Sequence, residues 1–275
     1  VIGQALYPEG HYALLTMRRL TFCLLLLSIA LCARAADVPV VAAAADLKFA
    51  LTEIAARFET DTGQRVRLSF GSSGNFAQQI EQGAPFEIFL SADEQFVFRL
   101  AERGLTVDRG ALYAIGRLVL FAPTGSALTP DAGFEDLKAA LADGRLRRFA
   151  IANPEHAPYG RAARAALKHA GVWPAIEQRL VFGENAAQAM QFAASGSSQG
   201  GIVPLSLSKA PEVARLGRFA LLPAEWHANE PLRQRMVLLR AAGATARAFF
   251  AYLQQDAARS VLSRNGFTLP DSGAP

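Results

Sequence analysis

The sequence predicts an α/β protein of two lobes, and three observations carry that prediction. Apolar strand-like runs alternate with amphipathic helix-like runs, the pattern of sheets covered by helices. A strand, a loop of small or polar residues and a helix occur together early, at residues 41–76, and again around 151–163 and 182–190. Two apolar runs, Leu118 to Phe121 and Met236 to Leu239, are paired candidates for strands that cross between lobes as a hinge. A cleft between such lobes, lined by helix N-termini from both sides, is the usual geometry of ligand closure.

Taken in order, Val38 to Ala44 reads as the first strand, and Asp46 then stands at the N-cap position of a helix over Leu47–Thr60. Its apolar residues Leu47, Leu51, Ile54, Ala55 and Phe58 recur at helical spacing, and Gly63 stops it. Val66–Phe70 is the second strand, Phe76–Gln82 a helix ended by Gly83, and Phe86–Leu90 the third strand. A helix over Gln95–Arg103 stops at Gly104, and the strong strand Arg117–Ala122 is ended by Pro123. There follow a helix around Phe134–Ala142, a strand Arg148–Ala152 and a helix Gly160–Ala170. A strand near Leu180–Phe182 precedes a helix Ala186–Ser195, and strands follow at Gly200–Pro204 and Arg235–Arg240. One long amphipathic helix, Ala244–Asn265, nearly completes the chain. No repeat, low-complexity linker or heptad seam interrupts this order.

Export is expected from the first residues. Met17-Arg18-Arg19 is a short positive segment, Leu20 to Leu31 an apolar core, and Ala33-Arg34-Ala35 an A-x-A cleavage signal, with residues 1–16 an upstream extension. The apolar run is short for a membrane span, and Leu31 stands before Cys32 where a lipid-anchor signal wants a small residue. Cys23 and Cys32 both fall inside the leader, so the mature chain is expected to hold no thiol for a disulfide, a soft metal or nucleophilic chemistry. Cleavage after Ala35 leaves 240 residues, and removing Arg18, Arg19, Arg34 and Glu9 lowers the net charge from +4 to +2. That near-neutral balance is no argument for nucleic acid, and Arg145, Arg147 and Arg148 read as a solvated face.

The stretch richest in chemical information is Phe70 to Glu94, where Gly71-Ser72-Ser73-Gly74 joins a strand to a helix. A strand that opens through Gly and Ser into a helix presents unpaired N–H groups and hydroxyl donors at a positive dipole end. It suits an anion held without a cationic side chain, although the same residues can serve as a plain turn and cap. A rival arrangement is an exported hydrolase with Ser73 as nucleophile, His156 as base and Asp93 as orienter. Against it, Gly71-Ser72-Ser73-Gly74 lacks the G-x-S-x-G spacing, and His156 falls in the other expected lobe. No H-x-x-x-H or paired-carboxylate pattern marks a metal enzyme. No catalytic residue is therefore assigned.

Five motifs follow one another along the chain: Ala42-Ala43-Ala44-Ala45-Asp46-Leu47, the FGSSGN loop, GAPFEIFLSADE, Asn153 to Gly160, and Asn265-Gly266-Phe267-Thr268. In this order they resemble the periplasmic molybdate-binding proteins, the substrate-binding components of molybdate ABC transporters. The resemblance implies a type II periplasmic binding protein fold of mixed sheets flanked by helices, with a hinge of two crossing strands. It implies a first lobe over 37–117 and 236–272 and a second over 118–235. It also implies a monomer that takes molybdate, and tungstate as well, to an inner-membrane permease, with no cofactor and no cation ligated directly.

The oxyanion-binding positions implied by the family are Ala45 and Asp46, Ser73, Tyr159 and Ala186. Where some members carry a tyrosine after the Gly-Ile-Val strand, this chain has Pro204, so Tyr159 is expected to take that role. Ala45 lacks the hydroxyl that relatives place there, and Asp46 brings a carboxylate near a dianion. Like charges about 4 Å apart repel by roughly 1 kcal/mol in water and several-fold more in a dry cleft. The Asp46 side chain is therefore expected to turn away and cap its own helix, leaving its N–H toward the ligand. The alternative is that Asp46 accepts a proton from a protonated, phosphate-like oxyanion.

Overall fold

The computed structural model describes residues 38–270. The expected leader, both cysteines and the last residues of the expected first lobe lie outside the described residues. Two five-stranded sheets organise the chain, drawn from β1 (Val40–Ala44), β2 (Arg67–Gly71), β3 (Ile88–Ser91), β4 (Ala111–Ile115), β5 (Leu118–Pro123), β6 (Phe149–Ala152), β7 (Leu180–Gly183), β8 (Gly200–Pro204), β9 (Gly217–Leu221) and β10 (Arg233–Leu238). The first sheet runs β2-β1-β3-β10-β4 and the second β7-β6-β8-β5-β9. Both follow one plan. Three parallel strands (β2, β1, β3 in one, β7, β6, β8 in the other) are extended by an antiparallel strand and then by an edge strand.

Helices cover these sheets because their apolar stripes need a partner surface. α1 (Lys48–Thr62) buries Ala50, Leu51, Ile54 and Phe58, and ends at Gly63, whose φ of 69° is the left-handed cap a glycine adopts readily. Phe58 packs edge-on to Phe249 and Tyr252, with ring centroids 5.0 and 5.4 Å apart, tying the start of the first lobe to the end of the chain. The helices that matter for the site are α2 (Ser73–Glu81), α3 (Glu94–Glu102), α4 (Glu135–Ala142), α5 (Pro158–His169), α6 (Trp173–Ile176), α7 (Ala186–Ala194), α8 (Leu205–Ser208) and α9 (Pro211–Ala214). The first sheet carries a separate apolar cluster on each face. The cluster of the second takes in Ala44 and Ala92 from the first, so the two halves meet through small side chains.

The single C-terminal helix expected over Ala244–Asn265 is instead two, α10 (Ala244–Tyr252) and α11 (Asp256–Arg264). The buried positions shift phase between them, from Ala246, Phe249 and Tyr252 to Ala258, Val261 and Leu262. The polar run Gln254-Gln255-Asp256 falls at the break, Gln255 is extended (ψ 154°), and Asp256 supplies a first-turn acid to the new helix. Strands β4 and β9 and the short helices α6, α8 and α9 were not expected from the pattern. The runs Leu118–Phe121 and Met236–Leu239 lie in β5 and at β10, each beginning just after the chain has passed from one sheet to the other. At that passage the Gly116 N–H donates to the Leu232 carbonyl at 2.9 Å.

Candidate functional site

In open α/β sheets the C-terminal ends of parallel strands feed helix N-termini, and ligands collect there. Here four such ends face one another. β1 leads into a 3₁₀ turn, Ala45–Leu47, and then α1; β2 leads through Ser72 into α2; β6 leads through the 153–157 loop into α5; β7 leads through Asn185 into α7. All five residues implied by the resemblance, Ala45, Asp46, Ser73, Tyr159 and Ala186, line one small cavity. Its other walls are Ala44, Gly71, Ser72, Ala92, Ala157 and Pro158, so among the described residues no Lys, Arg or His side chain lines it. The walls close tightly, leaving ≈ 10 Å³ to the centre of a water-sized sphere. A much larger groove, ≈ 730 Å³ and open, lies beside α7 between Lys48, Phe49, Gln188 and Met190, and brings together no titratable cluster.

The two serines of the Gly-Ser-Ser-Gly loop part company. Ser73, at the first position of α2, is buried, and its hydroxyl oxygen accepts the Ala92 N–H at 3.0 Å, which leaves its own hydrogen to donate. Ser72 reaches across the cleft and donates to the His156 carbonyl at 2.5 Å, where the Gly74 N–H also donates at 3.0 Å. Since the single Ser72 hydrogen is used there, His156 Nδ1, 3.0 Å away, is the donor of that second contact. His156 Nε2 lies 3.6 Å from Glu184 Oε1, which also accepts from Asn75 Nδ2 at 2.6 Å. Gly74 is needed at this seam, because a Cβ there would stand 2.6 Å from the His156 carbonyl oxygen.

Asp46 does not do what was expected of it. No side-chain cap forms at the start of its helix. The carboxylate is instead buried, 2% exposed, and its Oδ2 accepts Gln234 Nε2 at 2.6 Å. Gln234 is wholly buried on β10; its Nε2 also donates to the Tyr159 hydroxyl at 3.1 Å, and its Oε1 accepts the Tyr113 hydroxyl at 2.7 Å. Asp46 Oδ1 has no partner in hydrogen-bonding geometry. Burial raises the Asp46 pKa from 3.8 to about 6, and the Gln234 amide, the nearby Tyr159 hydroxyl and its own backbone amide offset this only in part. Desolvation first, and the Asp46 charge second, push both Tyr159 and Tyr113 well above the usual phenol range. The Gln234 bond, to a charged acceptor, is worth more than the about 1 kcal/mol of a helix cap, yet it does not offset the burial that accompanies it.

Tyr159 follows Pro158 at the start of α5 and is 3% exposed. Its hydroxyl fits because residue 116 is glycine: a Cβ there would lie 2.2 Å from the Tyr159 oxygen and 2.9 Å from Gln234 Nε2. Ala186 begins α7, whose Asn185 cap accepts from the Ala187 and Gln188 amides at 3.0 and 3.1 Å. Ser206 Oγ, on α8, donates to the Asp46 carbonyl at 2.9 Å. Gln234, Tyr113, Gly116 and Ser206 were missed in the sequence, where the one available signal was a polar Gln234 abutting an apolar strand. A hydrolytic relay is not assembled: His156 meets Ser72 rather than Ser73, and Asp93 accepts the Gln95 amide and pairs with Arg161. Among the described residues no group of three or more His, Cys, Asp or Glu could hold a metal ion, and no helix is long and apolar enough to cross a membrane.

Known proteins share this architecture and sequence. The family model for bacterial extracellular solute-binding proteins matches residues 39–268. The molybdate-binding protein ModA of Azotobacter vinelandii is 36% identical over 244 residues, covering 88% of this chain and 93% of its own. That of Rhodobacter capsulatus is also 36% identical, covering 88% of this chain and 92% of its own. The solved periplasmic molybdate-binding protein of A. vinelandii superposes with a TM-score of 0.75 at 30% identity, covering 86% of this chain and 100% of that one.

Proposed function

This chain belongs to the bacterial extracellular solute-binding proteins and, within them, to the periplasmic molybdate-binding proteins of ABC transporters; from that premise we propose that it captures one tetrahedral oxyanion between its lobes and passes it to a membrane permease. The ligand is molybdate, with tungstate accepted as well because the two ions are nearly the same size. The observation that carries this reading is the convergence of Ala45, Asp46, Ser73, Tyr159 and Ala186 on one cavity that, among the described residues, no cationic side chain lines. First-turn amides have no partner within their own helix, and their dipoles favour negative charge. Held by neutral donors, an anion is bound firmly without an ion pair, and an oxyanion too small to meet all donors at hydrogen-bond distance is discriminated against.

We assign residues 37–117 and 236–272 to the first lobe and 118–235 to the second, a boundary just inside β10, whose opening residues Arg233 and Gln234 already pair with β4 of the first sheet. The protein acts as an exported periplasmic monomer, and binding needs no cofactor. Molybdenum is held through its oxygens, so no side chain is a metal ligand. A second reading has support in the buried Asp46 carboxylate with its unpartnered Oδ1: a protonated, phosphate-like oxyanion could donate to it. Titration calorimetry with molybdate, tungstate, sulfate and phosphate separates the two. Binding of molybdate and tungstate with neither sulfate nor phosphate is expected, whereas binding of phosphate alone would replace the first reading by the second.

A further inference from the structure

Asp46 is the one ionisable carboxyl among the residues lining the cavity, and the groups packed against it are all uncharged. From β10 it meets Gln234, from α5 Tyr159, and through Gln234 it is linked to Tyr113 of β4; Ser206 of α8 holds its backbone carbonyl. The cleft arginines are engaged elsewhere, Arg161 with Asp93 and Glu230, and Arg233 and Arg235 with Glu94. An ionised Asp46 beside a dianion would thus face like charge in a dry cavity with no cation to offset it.

The hydrogen-bond pattern determines where a proton would go. Tyr113 Oη donates to Gln234 Oε1, so Gln234 must present Nε2 to Asp46 and to Tyr159, which fixes its amide orientation. Oδ2 of Asp46 is then occupied as an acceptor, and Oδ1, which has no partner, is the oxygen left to carry hydrogen. Tyr159 Oη in turn accepts from Gln234, so its own hydrogen is directed elsewhere, toward the cavity or Oδ1.

We propose that Asp46 is a specificity-determining residue of this site that takes up one proton as the oxyanion enters, its Oδ1–H becoming a donor to a ligand oxygen. This rests on the oxyanion reading above. The balance is simple: carboxylate, one solvent proton and the dianion give a neutral Asp46 hydrogen-bonded to the dianion, and no bond of the ligand is made or broken. The burial that already raises the Asp46 pKa to about 6 in the unliganded protein works in the same direction, and a dianion alongside raises it further. An oxyanion that brings its own proton would instead donate to ionised Asp46 and draw none from solvent.

The test is titration calorimetry of the full chain with molybdate near pH 7.5, in buffers of different ionisation enthalpy, which counts protons exchanged on binding. Uptake near one proton per site is expected for the wild type and near zero for Asp46→Asn, whose amide donates without titrating. The wild-type Kd should rise close to tenfold per pH unit above 7, while that of Asp46→Asn stays flat. Molybdate binding with no proton uptake by the wild type, or uptake undiminished in Asp46→Asn, overturns the proposal and leaves the oxyanion reading standing. No molybdate binding by the wild type removes both. If the variant fails to fold, the wild-type proton count decides alone.

Discussion

The cleft is closed along two seams built from different materials. Where α2 meets the 153–157 loop, the lobes meet on a backbone acceptor: the Ser72 hydroxyl and the Gly74 amide both donate to the His156 carbonyl. Where β10 meets α5, they touch through side chains, Gln234 joining Asp46 and Tyr113 of the first sheet's side to Tyr159 of the second's. The contacts to the His156 carbonyl are made by neutral donors and depend on one missing Cβ at Gly74. The side-chain seam holds a carboxylate whose charge opposes both burial and an anionic ligand. Geometry comes from the first and chemical discrimination from the second.

The contrast predicts effects of different size and kind. The largest belongs to the backbone seam. Gly74→Val places side-chain carbon against the His156 carbonyl, which cannot yield without separating the lobes. Molybdate affinity by calorimetry is expected to fall about 100-fold or more, a loss of roughly 3 kcal/mol or greater, with the fold retained by circular dichroism. Wild-type affinity in this variant would remove the backbone seam from the closure mechanism.

Next comes Tyr159→Phe, which removes a hydroxyl from a residue of the cavity wall and leaves Gln234 Nε2 short of one acceptor. A hydrogen bond to a charged group contributes about 1.5–3 kcal/mol, so binding should weaken about 10- to 150-fold. A change below about threefold would mean that the phenol only packs.

Asp46→Asn acts on stability with a sign that pH reveals. The carboxyl's folded pKa, about 6, lies above its ordinary 3.8, so the protonated form is the one the fold favours. That contribution is whole below pH 4 and is lost as pH rises through 6, to a total on the order of 3 kcal/mol. Urea unfolding of the unliganded protein should therefore show Asp46→Asn more stable than wild type by about 1–3 kcal/mol at pH 8, and not at pH 4. Equal differences at both pH values would break the link between burial and charge.

The smallest effect is expected at the rim, where Asn75 donates to Glu184, a side chain 59% exposed. Asn75→Ala should change affinity about twofold or less, as solvent-screened contacts do. A tenfold loss would extend the seam to the rim.

How much of this was legible along the chain depends on range. The alternation of elements, the end of α1 at Gly63 and the small-residue loop at 71–74 are local features, decided by spacing, backbone freedom and helix-end chemistry within a few residues. So was Ala186 at the start of its helix, whereas the helices expected from Phe76 and Gly160 begin earlier, at Ser73 and Pro158. The break at Gln254-Gln255-Asp256 was missed because each half keeps helical spacing by itself, whereas one continuous helix would have carried the two buried sets to nearly opposite faces. Strand β9, with Phe219 and Leu221 exposed, lacks the burial that makes a strand recognisable.

The sequence by itself determined the α/β class, the family and the helix ends that meet at the cleft, because each depends on neighbouring residues. Only the tertiary structure decided what Asp46 does. Its partner Gln234 stands 188 residues away, and Tyr159, 75 residues before Gln234, fits beside that amide because Gly116 has no side chain. A local cap gave way to a distant amide because the packed lobes enclose position 46, and within that enclosure Gln234 is the donor its carboxyl meets.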